Sequence, residues 1–164
     1  MPAAGTSGAS CNQRGVMQPK LSSPRQPYPM DPYIQPKRVA RILVVDDNIN
    51  NAVLMAQLLQ SAGYQARTAH NAQEAEREIR AHLPDLILLD VIMPGKSGYD
   101  VCRELKADAV TRLIPLVMIT GLADREDKIR GIESGADDFL NKPIFPEELF
   151  ARVRSLLKLK EFTD

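Results

Sequence analysis

The stretch PDLILLDVIMPGKSGYD, residues 84–100, decides the fold of this chain. Its four consecutive aliphatic residues, 86–89, predict a strand that is covered on both faces. The run ends in an acid, Asp90, and a Met-Pro-Gly turn at 93–95 follows closely. A carboxylate at the end of a buried strand requires an explanation, and the rest of the sequence supplies one.

Strands and helices are predicted to alternate on both sides of this stretch. Five short apolar runs predict strands, and a segment with helical spacing follows each of them. The predicted strands are ILVV (42–45), YQARTA (64–69), LILL (86–89), IPLVMI (114–119) and DFL (138–140). Because this alternation requires crossover helices, it predicts an α/β fold with a parallel sheet. The second run is the least apolar and is predicted to lie near the sheet edge.

Capping residues and apolar stripes define the predicted helices. Asn48 and Ser97 are predicted N-caps of the first and third helices, and Pro146 suits the first turn of the fifth. The fourth helix is predicted from Asp124 to Ser134. The residues predicted to face the core are Leu54, Leu58, Leu59 and Ala62 in the first helix, Val101 and Leu105 in the third, Ile129 and Ile132 in the fourth, and Leu149, Val153, Leu156 and Leu157 in the fifth.

The N-terminal segment differs from the rest in composition. Residues 1–39 contain five basic residues and one acid, a net charge of +4, and seven of the 12 prolines. Large aliphatic side chains are scarce there, so the segment cannot bury enough apolar surface to offset its ordering entropy. We predict a disordered Pro-rich basic tail at 1–39, a folded domain at 40–160 and a C-terminal end at 161–164.

Composition excludes several classes of function. The 164 residues carry no net charge, so no overall field favours nucleic acid or an acidic membrane. No apolar run is long enough to span a bilayer, and no export signal is recognisable. Cys11 and Cys102 lie too far apart in sequence to suggest a disulfide framework. A reducing compartment, the cytoplasm, is predicted.

Polar residues follow four of the five predicted strands, namely Asp46 and Asp47, then Asp90, Thr120 and Lys142. The carboxyl ends of parallel strands meet at one rim, where ligands bind in such folds. Crowded carboxylates repel each other, and a hard divalent cation relieves the repulsion. Oxygen ligands without nearby His or Cys favour Mg²⁺ over zinc. A metal, a nucleophilic carboxylate, a hydroxyl and a lysine form a set suited to phosphoryl transfer.

Taken singly, each of these residues has a simpler explanation. An acid before a helix is usually a cap, an acid before a turn stabilises the turn, and a surface lysine is usually only solvated. Four separate explanations would then be needed for four strand ends. A shared functional site explains all of them together.

Four motifs in this order resemble the receiver domain of two-component response regulators. They are ILVVDDN, DLILLDVIMPGKSGYDVC, IPLVMIT and GADDFLNKP, and the resemblance covers about residues 40–160. It implies a flavodoxin-like (βα)5 doubly wound parallel sheet with strand order 2-1-3-4-5. It also implies a signalling switch and not an enzyme that turns over a substrate.

The resemblance implies a role for each residue at the rim. Asp90 would be the phosphoacceptor, and its donor would be a sensor histidine kinase or a phosphotransfer protein. Thr120 and Lys142 would bind the new phosphoryl oxygens. The implied Mg²⁺ ligands are Asp47, Asp90, the backbone carbonyl of Ile92 and, through water, Asp46. Phe139 matches the switch aromatic that turns inward, and Pro143 matches the proline that follows a cis peptide.

Two departures from the family pattern carry predictions. Phe139 replaces a tyrosine often found at this position, so the switch would depend on packing alone. Ile92 and Leu122 occupy the variable positions that flank the phosphoryl group in this family, and neither can orient a water molecule by hydrogen bonding. Slow self-dephosphorylation is therefore predicted.

The output is predicted to pass through helix four, strand five and helix five to an output domain or a partner protein. The ending ARVRSLLKLKEFTD predicts a fifth helix that runs beyond the core, and it resembles the junction to a cyclic-di-GMP enzyme. A single-domain regulator is the alternative. Direct contact with nucleic acid or membrane is not predicted. Four charged residues match positions that pair across a two-fold axis in some DNA-binding relatives, namely Lys128, Asp138, Glu148 and Arg152. They predict a homodimer that forms on phosphorylation. The alternative is that these side chains are simply solvated.

Two other classes of protein would use similar residues. A Mg²⁺-dependent phosphohydrolase with an aspartyl nucleophile needs, in the haloacid-dehalogenase type, a second acid two residues later, where this chain has Ile92. A pseudo-receiver would fold without being phosphorylated, but the complete set of acids, threonine and lysine argues against it.

Overall fold

The aliphatic run 86–89 lies in the central strand of a five-stranded sheet. This computed structural model describes residues 38–121 and 125–163, apart from the side chains of 125–128 and 160–163. The strands are β1 (Arg41–Val45), β2 (Gln65–Ala69), β3 (Leu86–Asp90), β4 (Leu116–Thr120) and β5 (Asp138–Asn141). The helices are α1 (Ile49–Ser61), α2 (Ala72–Ala81), α3 (Gly98–Ala107), α4 (Arg125–Ser134) and α5 (Pro146–Thr163).

All strand pairs are parallel, and the order across the sheet is β2-β1-β3-β4-β5. The predicted flavodoxin-like fold and strand order are confirmed, and β2 lies at an edge as predicted. The direction in which strands are added changes between β1 and β3. The second strand, β2, is added on one side of β1, whereas β3, β4 and β5 are added in turn on its other side. A ligand site is expected beyond the carboxyl ends of these two strands.

Side-chain alternation along the strands supplies a core to each face of the sheet. On one face, Leu43, Val45, Ile87 and Leu89 pack with residues of α2 and α3. On the other face, Ile42, Val44, Leu86 and Leu88 pack with residues of α1 and α5. Every residue of β3 is buried, so the strand is held rigidly on both sides.

Capping follows the sequence-based expectation. The Asn48 side chain accepts a hydrogen bond from the backbone N–H of Asn51 at 3.1 Å. Ser97 Oγ accepts one from the backbone N–H of Asp100 at 3.3 Å. Pro146 is the initial residue of α5, and the predicted stripe of α5 is also observed: Leu149 and Val153 are fully buried. This helix continues to Thr163, which confirms the prediction of a fifth helix that runs beyond the core.

The predicted inner face of α1 was partly wrong. Leu54 is 60% exposed and Ala62 is exposed, whereas Ala52, Ala56 and Leu59 are buried. Small alanines let the helix axis approach the sheet closely, so packing rotates the helix away from the orientation that its largest side chains would favour.

The predicted inner face of α4 was wrong. Ile129 is 47% exposed and Ile132 is 65% exposed, while Gly131 and Ser134 are buried. The helix approaches its neighbours through small residues: Cys102 Sγ on α3 lies 3.4 Å from the carbonyl oxygen of Ser134. The helix therefore packs on α3 through its backbone and small side chains, and not through the two isoleucines that were expected to be buried.

Several sequence-based expectations concern residues outside the described part of the chain. They include almost all of the tail at 1–39, the helix start at Asp124, Cys11 and Leu122. Arg38, which is described, binds Asp85 with its guanidinium group. Among the helices of the described residues, none combines the length and the hydropathy that a membrane span requires.

Candidate functional site

The residues predicted from the strand ends lie together at the carboxyl rim of the sheet. Asp46 and Asp47 directly follow β1, and Asp90 is the last residue of β3. One carboxylate oxygen from each of these acids lies within 4.8 Å of the other two. Thr120 ends β4, and its carbonyl oxygen accepts a hydrogen bond from the backbone N–H of Lys142 at 2.8 Å.

Asp90 is the most deeply buried of the three acids, with 4% of its surface exposed. Lys142 Nζ lies 3.5 Å from Asp90 Oδ2, and the backbone N–H of Ile92 donates to Oδ1 at 3.3 Å. Burial, followed by repulsion from Asp46, raises the pKa of Asp90 to about 6 despite the opposing effects of Lys142 and Ile92. This carboxylate is therefore under-compensated as a charged group.

The other two acids differ in exposure. Asp46 is 6% exposed, and its Oδ1 accepts a hydrogen bond from the backbone N–H of Asn48 at 2.9 Å. Asp47 is exposed at the mouth of the cluster. Three carboxylates of unequal depth, with one open side, form an all-oxygen donor set that fits Mg²⁺ with several retained waters. Burial and then repulsion from Asp46 raise the pKa of Asp90, and a bound cation would offset both effects.

The turn after β3 brings the chain back against the strand end. The backbone N–H of Gly98 donates to the carbonyl oxygen of Val91 at 2.9 Å, and a Cβ built at Gly98 would lie 2.3 Å from the carbonyl oxygen of Asp90. No other residue type fits there, so Gly98 allows α3 to begin directly against the acid. Sequence reasoning missed this glycine, although its position directly after the Ser97 cap was a usable signal.

Lys142 enters the site from the loop after β5. The peptide bond between Lys142 and Pro143 is cis, as the resemblance to receiver domains implied. The Lys142 side chain is 38% exposed, so solvent reaches it from one side while its ammonium group faces Asp90.

Phe139, the predicted switch residue, lies on β5, and β4 separates that strand from β3, which ends in Asp90. It is partly buried, packs on the core beside α3 and faces α4. Phe139 and Thr120 both line a cavity of about 280 Å³, and Val91 and Tyr99 form further walls. The same cavity therefore touches Thr120 at the rim and Ile132 on α4.

Three of the residues predicted to form a dimer interface instead form ion pairs with one another inside the chain. Arg152 Nη1 donates to both carboxylate oxygens of Asp138, at 2.9 and 2.8 Å, and its Nη2 lies 3.6 Å from Glu148. These acids raise the pKa of Arg152. The side chain of Lys128 is not among those described.

A histidine that sequence reasoning did not single out borders the acidic cluster. His70 Nδ1 lies 3.2 Å from the carbonyl oxygen of Asp46, and Glu74 Oε1 accepts a hydrogen bond from the backbone N–H of His70 at 2.9 Å. Its position immediately after β2 was the available signal, because that strand also ends at the rim.

Comparison with known proteins agrees with this geometry. Residues 42–154 match the family model for the response regulator receiver domain. Response regulator PleD of Caulobacter vibrioides is 52% identical over 125 residues, 76% of this chain and 28% of PleD. The phosphate regulon transcriptional regulatory protein PhoB of Pseudomonas aeruginosa is 44% identical over 117 residues, 71% of this chain and 51% of PhoB.

A solved structure shows the same fold. The signal receiver domain of a signal transduction histidine kinase from Syntrophus aciditrophicus superposes with a TM-score of 0.70 at 39% identity, covering 73% of this chain and 91% of that one. The chain spans about half or less of the two curated relatives, which are themselves regulators. On the family match and these relatives, the chain belongs to the response regulator receiver domain family of two-component phosphorelay systems.

Proposed function

We propose that Asp90 accepts a phosphoryl group from the phosphohistidine of a sensor histidine kinase or a phosphotransfer protein. Receiver domains of response regulators interact with histidine kinases and with output domains. The observation that carries the proposal is the environment of Asp90: a buried carboxylate beside two other acids, with the Lys142 ammonium group 3.5 Å away. Burial without full compensation is the usual state of a reactive carboxylate.

In the transfer step, one oxygen of ionised Asp90 attacks the phosphorus and the phosphorus–nitrogen bond breaks. The bonding electrons return to the imidazole, which takes a proton from water. Because the pKa of Asp90 is about 6, the nucleophile is mostly ionised at neutral pH. Lys142 neutralises part of the charge on the moving phosphoryl oxygens, and the Thr120 hydroxyl donates a hydrogen bond to one of them.

Mg²⁺ is the cofactor that this site suits. Asp46 would hold it through water, while Asp47, Asp90 and the backbone carbonyl of Ile92 would bind it directly. When bound, it supplies a positive charge that relieves the repulsion among the acids and stabilises the transferred phosphoryl oxygens.

The experiment is incubation with acetyl phosphate and Mg²⁺, followed by intact mass measurement and peptide mapping. A persistent phosphoryl adduct on Asp90 is expected, and none is expected when EDTA removes the metal. Rapid release of phosphate with continuous turnover would identify a phosphohydrolase instead. Absence of any adduct under both conditions, with an intact fold by circular dichroism, would identify a pseudo-receiver.

The phosphorylated site then acts on the surface formed by α4, β5 and α5. Thr120 and Lys142 bind the new oxygens, and Phe139 responds by packing toward Thr120. The relative PhoB is a transcriptional regulatory protein, so an output domain or partner is the expected recipient of the signal. The cytoplasmic location deduced from the sequence stays a prediction.

A phosphorylation-dependent homodimer through this surface is the accompanying candidate. Asp138, Glu148 and Arg152 form a charged cluster on β5 and α5, and Ile129 and Ile132 are exposed on α4. Lys128 completes the predicted set from the sequence. Sedimentation with and without beryllofluoride, a phosphoryl mimic, tests it. A monomer in both states would exclude the dimer.

A further inference from the structure

A glycine in the interior of α4 faces the Phe139 ring. Gly131 is the seventh of ten residues of this helix, an interior position where glycine is less favourable than alanine. A Cβ built at Gly131 would lie 2.3 Å from Phe139 Cε1 and 2.9 Å from Cζ. The ring therefore occupies the volume that any other residue at 131 would fill.

The surroundings of Gly131 hold the helix backbone at this distance. Ser134, one turn further along α4, is buried, and its carbonyl oxygen accepts a hydrogen bond from Cys102 Sγ on α3 at 3.4 Å. Arg130 stacks over the Tyr99 ring at 4.7 Å from its centroid, which ties α4 to α3. A methyl group at 131 would consequently be accommodated by movement of the ring, because the end of a side chain rotates more easily than a tethered helix shifts.

Two destinations are open to a displaced ring. One is solvent, where the apolar surface of the ring would be unfavourably exposed to water. The other is the cavity of about 280 Å³ that Phe139 and Thr120 both line. A water molecule occupies roughly 30 Å³ of liquid, so this space is large in comparison. Burial favours the cavity.

From this geometry we propose that Gly131 is a positioning residue, which seats the Phe139 ring on α4 and away from Thr120 in the unphosphorylated protein. The proposal rests on the proposed function, since it explains what holds the switch in its resting state. Phosphorylation would draw Thr120 toward Asp90 and open the cavity to the ring. Gly131 thereby sets the free-energy difference between the resting and active arrangements.

The principal test is the Gly131→Ala variant of the full chain, studied by NMR with labelled phenylalanine. In the free protein, the Phe139 ring is expected to show nuclear Overhauser contacts with the Thr120 methyl group. Beryllofluoride should bind about fivefold more tightly than to the wild type, because part of the conformational change is already made. A ring that keeps its contact with residue 131, or that turns into solvent, would overturn the proposal.

The double variant Gly131→Ala with Phe139→Ala separates ring displacement from the higher helix propensity of alanine. If the glycine acts through the ring, the tightening of beryllofluoride binding disappears in the Phe139→Ala background. If the tightening persists there, the effect belongs to the helix and the proposal is wrong.

A measurement on the wild type covers the case in which the variant does not fold. Contacts between the Phe139 ring protons and the Gly131 Hα protons should be present in the free protein and lost on addition of beryllofluoride. Their persistence in the bound state would refute the proposal. If beryllofluoride fails to bind at all, the proposed phosphoacceptor function fails, while the ring position in free Gly131→Ala still tests the glycine.

Discussion

Two buried aspartates stand at opposite ends of β3, and their surroundings differ in kind. Asp85 directly precedes the strand and is 6% exposed, while Asp90 ends it and is 4% exposed. Asp85 accepts hydrogen bonds from Arg38 Nη1 at 2.9 Å and from the backbone N–H of Arg41 at 2.7 Å. Asp90 has longer contacts, 3.5 Å to Lys142 and 3.3 Å to the N–H of Ile92, and faces other acids.

The difference teaches what separates a structural acid from a reactive one. A buried carboxylate is costly unless donors compensate its charge. The guanidinium group and the backbone N–H satisfy Asp85, which joins the segment before β1 to the start of β3. Asp90 lacks equivalent compensation, so its pKa rises to about 6 and its oxygens stay available for another group. The same strand holds both acids rigidly, and their partners decide their roles.

The largest expected effect is on phosphorylation. Asp90→Asn should abolish the adduct formed with acetyl phosphate and Mg²⁺, because an amide oxygen is not a competent nucleophile. Asp85→Asn, at the other end of the strand, should retain the adduct. Intact mass spectrometry measures both. The different roles assigned to the two acids would be wrong if Asp85→Asn lost the adduct while remaining folded, or if Asp90→Asn kept it.

The second effect concerns stability and pH without metal. Because burial and repulsion from Asp46 raise the pKa of Asp90 from its usual 3.8 to about 6 in the folded state, the stability conferred by its protonated form is present below about pH 4 and is lost as pH rises through 6. In EDTA, Asp90→Asn should therefore gain about 2 to 3 kcal/mol over the wild type between pH 4 and pH 8. Urea unfolding at both pH values measures this gain. A difference between the two proteins that does not change with pH would contradict it.

The third effect has the opposite sign. Asp85→Ala should lower the free energy of unfolding by about 2 kcal/mol, because it leaves the N–H of Arg41 without the carboxylate that it binds. Urea unfolding at neutral pH provides the value, and the adduct on Asp90 should form at a normal rate. Equal stability of Asp85→Ala and the wild type would remove the structural role assigned to Asp85.

The smallest effect concerns the lifetime of the phosphorylated state. Ile92 is 60% exposed beside Asp90 and offers no polar side-chain atom to a water molecule. Ile92→Asn should speed loss of the phosphoryl group about threefold to tenfold, a change of roughly 1 kcal/mol in the barrier. Ile92→Leu is the matched control and should decay like the wild type. Decay measured by mass spectrometry that is equal in all three proteins would exclude this role for Ile92.

Patterns in the sequence were sufficient for the fold and for the location of the site. Short apolar runs predicted five strands, period-3.6 apolar spacings predicted the helices, and strict alternation of the two predicted a parallel sheet. Because parallel strands end at one rim, Asp46, Asp47, Asp90, Thr120 and Lys142 could be brought together without coordinates. Their roles in phosphoryl transfer stay predictions, for which the acetyl phosphate experiment is the test.

The rotation of helices could not be deduced in this way. In α1 and α4 the largest apolar residues were expected inside, yet Leu54 and Ile132 are exposed and Gly131 is buried. A helical stripe records which residues share a face, but the distance between backbones decides which face turns inward. Small residues permit the closest approach, and dispersion contacts over a whole interface outweigh the burial of one isoleucine.

The sequence by itself determined the alternation of elements, the helix caps and the set of polar strand ends, because these depend on local spacing and on the parallel topology that it imposes. Tertiary structure alone decided that Asp85 has short contacts to Arg38 and Arg41 while the contacts of Asp90 to Lys142 and Ile92 are longer. It also decided that Gly98 lies against the carbonyl of Asp90 and that Gly131 lies against the Phe139 ring. These are contacts between residues remote in the chain, and their energies depend on distances of a few tenths of an ångström. Such distances are set when the two cores pack, which no local pattern encodes.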